Sequence, residues 1–130
     1  MVQIKTIPVG FLETNCYLVT QGENSILIDP GEEAEKILKE VGDKKIDYII
    51  LTHLHFDHIG AVREIKKATG AKVLCSEKDL EILDENLLNE KDIDIIINTS
   101  KANIPKLEIL NTPGHTPGSI CLYFPEQGVL

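Results

Sequence analysis

The chain has 130 residues, a length typical of one domain, and its 42% hydrophobic content is typical of a soluble globular protein. The 13 basic residues against 21 acidic ones give a net charge of −8, which argues against a nucleic-acid-binding surface. No apolar run approaches the roughly 20 residues of a membrane span, and the N-terminus lacks a signal pattern. We therefore expect a cytoplasmic protein that binds neither nucleic acid nor membranes.

The first half of the chain predicts a strand-rich start followed by alternating helices and strands. The helix at 32–41 is indicated by apolar residues at helical spacing, and Gly42 ends it. The apolar run DYIIL predicts a strand covered on both faces. The predicted elements are strands at 2–9, 16–20, 25–29 and 47–51, and helices at 32–41 and 59–69.

The second half gives a weaker pattern between residues 77 and 104, where a helical start and a short strand within IDIII are indicated. Strands are predicted at 72–75, 106–111 and 120–124, and the last two residues look like the start of another. No repeat, linker or low-complexity tract interrupts the chain. The sequence predicts one mixed α/β domain over residues 1–130, with helices packed on a sheet.

The three cysteines do not predict a disulfide framework or a cysteine–zinc site. Cys16, Cys75 and Cys121 are odd in number, widely spaced and not arranged as C-x-x-C. Each lies in an apolar stretch, where cysteine behaves as a small hydrophobic residue. We expect three buried thiols on strands.

The four histidines are concentrated in two motifs. His53 and His55 directly follow a predicted strand, and residues two apart in an extended segment point to the same side. Asp57 and His58 come where the chain turns into a helix, so they point differently and are suited to a second ion. Histidine nitrogen and aspartate oxygen suit zinc, and also iron or manganese.

His115 lies in the turn PGHTPG, whose glycines and prolines fix the backbone around one side chain. A lone histidine there is also typical of a loop residue bonded to backbone. Together with His53 and His55 it would complete a three-histidine zinc site with a position left for water. Zinc lowers the pKa of that water to about 7.

These motifs resemble those of the metallo-β-lactamase superfamily. Residues 52–60, THLHFDHIG, match its metal signature, and 114–119, GHTPGS, match its next ligand motif. The opening IPVGFLETNCYLV is similar to small hydrolases of the glyoxalase II-like branch. The resemblance implies an αβ/βα sandwich with its metals at the edge of two facing sheets.

The resemblance also implies a role for each site residue. His53, His55 and His115 would hold the first metal, and Asp57 and His58 would contribute to a second. Asp57 would also hold or steer the attacking water, which makes it the candidate catalytic residue. Asp29, in the motif IDPG, would order the histidine segment (residues 53–58) without binding metal. An acid that only ends a strand fits the same pattern.

The C-terminus departs from the family pattern. Family members continue into a strand with a metal-bridging aspartate and a final histidine, whereas no histidine follows His115 and Glu126 lies in a plain turn. We expect a fold with an incomplete second half and about one tightly bound metal per chain. An exposed sheet edge would then favour self-association.

Three functions follow from these motifs. The first is a hydrolase that uses metal-activated hydroxide on a thioester, ester or amide of a small molecule, such as a glutathione thioester. The second is a metal-binding domain without catalysis, because the bridging ligand is missing. The third is an iron enzyme of the persulfide dioxygenase type.

Overall fold

A computed structural model of the chain describes most of the first 97 residues and three strands beyond them. From residue 97 onward, and at Val2, Gln21, Phe56, Asp57 and Glu90, only the backbone is described. The described residues are 2–10, 12–22, 24–52, 54, 56–77, 80, 88, 90–97, 108–111, 120–124 and 128–129.

Six strands form one mixed sheet in chain order. The first three are antiparallel neighbours, whereas β3 to β6 run parallel. The strands predicted in this part are confirmed, with ends shifted by at most two residues. Strands β1 to β6 cover Val2–Val9, Thr14–Gln21, Asn24–Ile28, Lys45–Ile50, Lys72–Ser76 and Ile95–Ile97.

Two longer helices and one short helix follow the parallel strands. Helix α1 spans Ala34–Val41, α2 spans Phe56–Ile59 and α3 spans Val62–Thr69. Gly42 and Gly70, each at positive φ, end α1 and α3 and donate their backbone N–H to the preceding helical turn. The apolar residues that predicted these helices are buried, apart from Leu38, which is partly buried.

The single helix predicted at 59–69 is wrong, because the structure has two helices that meet at Gly60 and Ala61. The backbone N–H of Ala61 donates to Pro30 O at 3.0 Å. A continuous helix would need that N–H for its own ladder. A contact with a distant loop therefore decides where α3 begins.

The sheet buries side chains on both faces. A row of register partners on one face shares a buried cluster with the helices: Leu18, Leu27, Ile49 and Val73. The neighbouring row on the other face is also buried: Ile28, Ile50 and Leu74. Such double burial explains why β3, β4 and β5 appear in the sequence as continuous apolar runs.

A second sheet contains β7 (Glu108–Asn111), β8 (Ile120–Phe124) and β9 (Gly128–Val129) in antiparallel order. These strands agree with the predicted ones, although the start predicted at 106 lies outside the described residues, as does most of the helix suggested after residue 77. The mixed α/β fold class is confirmed. In the part of the chain that the structure describes, no helix is long and apolar enough to span a membrane.

Candidate metal centre

The candidate site lies where β3 and β4 end side by side. Asp29 directly follows β3, and Thr52 comes two residues after the last residue of β4. The backbone N–H of Asp29 donates to Ile50 O at 3.0 Å, and that of Leu51 donates to Leu74 O at 2.9 Å. The sheet therefore stays paired up to the site, which gives the following loop a rigid base.

The Asp29 carboxylate joins the two strand ends. Its Oδ1 accepts the backbone N–H of Thr52 at 2.7 Å, and its Oδ2 accepts the Thr52 hydroxyl at 2.5 Å. Asp29 is only 4% exposed, and its φ of 52° lies in the left-handed region. Aspartate tolerates this conformation better than most residues, so both the backbone and the side chain suit this position.

The same carboxylate contacts a predicted metal ligand. His58 Nδ1 on α2 lies 2.9 Å from Asp29 Oδ2, and the His58 side chain is 18% exposed. A carboxylate beside Nδ1 favours the tautomer with the proton on that nitrogen, so that Nε2 carries the lone pair that a metal ion uses. The described part of the site thus fits a histidine–metal centre with an orienting aspartate.

The other predicted ligands are only partly covered. His53, His55 and His115 lie outside the described residues, and Asp57 is described only as backbone on α2. Within the described ranges, no three histidine, cysteine, aspartate or glutamate side chains gather as a metal site. The complete ligand set therefore stays a prediction.

Two contacts around the site were not foreseen. The metal signature contains Thr52 but does not indicate its contact with Asp29, although a hydroxyl residue after a buried strand is a natural partner for an acid at the neighbouring strand end. Glu33 Oε2 accepts the backbone N–H of Gly10 at 2.8 Å, which ties the β1–β2 turn to the loop after Asp29. Glu13 and Glu33 also have positive φ, so turns on both sides of the site are constrained.

Cys16 lies on β2 beneath this site. Burial, with the negative charge of Asp29 as a smaller cause, raises the pKa of its thiol to about 12. The thiol is therefore kept in its neutral, unreactive form, as expected of a buried cysteine that packs as a small hydrophobic residue. Cys16 and Cys75 are both buried free thiols, as predicted, whereas the Cys121 side chain is outside the described residues.

The chain matches the sequence model of the Metallo-beta-lactamase superfamily over residues 9–130. It is 34% identical over 135 residues to the hydroxyacylglutathione hydrolase GloC of Haemophilus influenzae. That alignment covers 90% of this chain and 64% of GloC. The chain thus spans about two thirds of the length of this relative.

Two solved structures share the fold. One is the BLEG-1 B3 metallo-beta-lactamase, which has a TM-score of 0.86 at 28% identity, and the match covers 96% of this chain and 68% of BLEG-1. The other, TTHA1623 in a di-iron-bound form, has a TM-score of 0.81 at 32% identity and covers 94% and 67%. Both similarities extend over almost all of the chain.

Proposed function

Because the chain belongs to the metallo-β-lactamase superfamily, we propose that it forms the metal-binding part of a hydrolase that cleaves a thioester of a small molecule. The observation that carries this proposal is the buried Asp29 carboxylate, which contacts both Thr52 and His58. An aspartate that only ended a strand would not need to lie against a histidine.

The proposed site uses the two histidine motifs. His53, His55 and His115 would hold one metal ion, and Asp57 and His58 would contribute to a second. When bound, such an ion supplies a Lewis acid and lowers the pKa of a water molecule. Asp57 would orient the attacking water, while Asp29 keeps the His58 ring and the start of the histidine segment in place.

The substrate class is supported by similarity to GloC, which is named a hydroxyacylglutathione hydrolase. Similarity to the B3 metallo-beta-lactamase BLEG-1 favours a second candidate substrate, the amide of a β-lactam. The two bonds require the same carbonyl chemistry and differ in the leaving group, a thiolate or an amine. Substrate assays therefore have to compare both.

The metal is proposed to be zinc, because three histidines form a common zinc ligand set. Iron is the alternative, and the di-iron form of TTHA1623 shows that a protein similar to this chain holds iron. If the protein binds iron, an activity of the persulfide dioxygenase type becomes the alternative to hydrolysis. Manganese fits the oxygen ligands but has no further support.

Self-association is a separate proposal. Strand β6 is an outer strand of the six-stranded sheet, and its Ile96 side chain is 40% exposed. An apolar outer strand can pair with another copy of the chain. Sedimentation over a range of concentrations would detect this, and a monomer at every concentration would contradict it.

Metal binding is the first test. The chain is loaded with zinc, iron or manganese, freed of loose metal by gel filtration, and analysed by elemental mass spectrometry. We expect about one tightly bound ion per chain. His115→Ala should abolish tight binding, whereas Asp43→Ala, an exposed aspartate on the turn after α1, should leave it unchanged. Absence of binding at neutral pH would contradict the whole proposal.

Activity is the second test, with a hydroxyacylglutathione thioester and a chromogenic cephalosporin as parallel substrates. We expect thioester hydrolysis that Asp57→Ala removes and Asp43→Ala retains. Hydrolysis of the cephalosporin alone would replace thioester with β-lactam chemistry. A metal-loaded chain that cleaves neither substrate would indicate the non-catalytic metal-binding domain.

A further inference from the structure

A second concave site lies at the opposite ends of the parallel strands. The cleft has a volume of about 470 Å³ and is formed at the first residues of β3, β4 and β5, with the end of α3 beside it. Strand β4 separates it from the metal edge by about 17 Å, at roughly 3.3 Å per residue. Its size is within the range of small-molecule sites.

One wall of the cleft is a continuous row of register partners. Val19 pairs with Ile26, Ile26 with Tyr48, and Tyr48 with Lys72. Direct partners share one face of a sheet. Val19 and Ile26 are buried, Tyr48 is half-buried and Lys72 is exposed. Along this wall the side chains therefore change from apolar and buried to cationic and exposed.

An irregularity in the sheet lies beside this row. The register between β3 and β4 shifts between Ser25 and Ile26, so that Ile26 faces Tyr48 and Asp47 is left without a register partner on β3. Such bulges redirect side chains locally. Here the shift sets the aromatic ring beside Ile26 and places Asp47 at the mouth of the cleft.

The charged groups of the cleft leave an excess of positive charge. Lys45 Nζ lies 3.7 Å from Asp47 Oδ1, so these two charges largely offset each other. The nearby Asp94 carboxylate accepts the Val73 N–H and lies 3.0 Å from Lys66 Nζ. Lys72 also acts on Asp94, although less than Lys66 does, and it lines the cleft, so it is the cation that an anion would meet there.

We propose that this cleft binds a small amphipathic anion, with an apolar chain or ring against Val19, Ile26 and Tyr48 and a carboxylate or phosphate head at Lys72. The site is independent of the metal centre and of the proposed hydrolysis. Burial of an alkyl chain supplies the affinity, and the lysine selects the charge of the head.

The test is a titration of the isotope-labelled chain with octanoate, octyl phosphate and uncharged octanol below their micelle concentrations, followed by two-dimensional NMR. Amide shifts should cluster at residues 24–26, 45–48 and 69–72. At least one anion should bind about tenfold more tightly than octanol. Lys72→Gln should remove most of that difference, whereas Lys67→Gln, an exposed lysine on α3, should not.

Equal affinity for octanol and both anions would overturn the proposal, since it would show only an apolar surface. Shifts scattered over the sheet, or confined to the metal edge, would overturn it as well. The spectrum of Lys72→Gln without ligand establishes that the variant is folded. Because no metal is added, the result does not depend on the proposed hydrolase activity.

Discussion

Two aspartates bond to backbone N–H groups at opposite ends of the parallel strands, and they differ in burial. Asp29 accepts the N–H of Thr52 at the carboxyl ends of β3 and β4, and it is 4% exposed. Asp94 accepts the N–H of Val73 at the start of β5, and its side chain is 36% exposed. Both carboxylates therefore accept a backbone N–H, one in the interior of the protein and the other at its surface.

The difference in burial agrees with the proposed role of Asp29 at the metal site and with a purely structural role of Asp94. Exposed Asp94 is compensated by Lys66 and by solvent, and its contacts only join α3, β5 and β6. Buried Asp29 instead lies against His58 and Thr52. A buried carboxylate is costly unless it is well bonded, so its position beside His58 supports the proposal that it does more than join two strands.

The strongest way to test this contrast is to remove each carboxylate. Asp29→Ala leaves the Thr52 donors without their acceptor and puts alanine at a left-handed φ. We expect a loss of about 3 kcal/mol in unfolding free energy and a 10- to 100-fold weaker metal affinity. Urea unfolding and chelator competition measure these two quantities.

The matched control is Asp94→Ala, which removes a carboxylate with a similar backbone contact. We expect a loss of about 1 kcal/mol and no change in metal affinity, because this residue is exposed and at the other edge. Equal losses of stability in the two variants would contradict the contrast.

A smaller effect is expected from Thr52→Val, which keeps the shape of the side chain and removes only the hydroxyl donor. The backbone N–H of Thr52 still reaches Asp29 Oδ1, so we expect a loss of about 1 kcal/mol by urea unfolding. Thr6→Val, on the exposed side of β1, should change stability little and even favour the strand. A Thr52 variant as stable as the parent chain would show that the hydroxyl contributes nothing.

The Asp94 contact also predicts a dependence on pH. The Val73 N–H, with Lys66 as a further contributor, holds the pKa of Asp94 below its usual value of 3.8. Stability from this group is present above pH 3.8 and is lost as the pH falls through the lower folded pKa. The stability difference between the parent chain and Asp94→Asn should therefore shrink between pH 6 and pH 2.5. A difference that is constant with pH would show that charge is not involved.

The smallest effect is expected at the rim of the cleft. Lys45→Gln and Lys72→Gln alter exposed side chains, so each should change unfolding free energy by less than about 0.5 kcal/mol. Thermal and urea unfolding are the measurements. A large loss in either variant would mean that the lysine is part of the fold and not available to a ligand.

The strands were predictable because their runs of isoleucine, leucine and valine are buried on both faces, as at residues 47–51. The break between α2 and α3 was not, because it depends on the bond between Ala61 and Pro30, which local periodicity does not contain. Helix α1 was predicted almost completely from its apolar stripe and Gly42. What sequence patterns missed was therefore set by tertiary contacts.

For the site, the spacing of the histidines predicts the chemistry, and the position of Asp29 at a strand end predicts that it lies near them. Its contact with Thr52 depends on the pairing of two strands that are 23 residues apart, which no motif expresses. The cleft at the other edge was missed for the same reason. Its row of side chains exists only in the register of four strands.

The contacts of Asp29 with Thr52 and His58 have a consequence for the order of folding. Asp29, Thr52 and His58 all belong to one β-α-β-α segment, and the contacts among them close loops of only 23 to 29 residues. The chain entropy lost in closing such loops grows slowly with length. On a ribosome this segment emerges before β7 is synthesised, so the orienting aspartate can be in place when the last predicted ligand, His115, arrives.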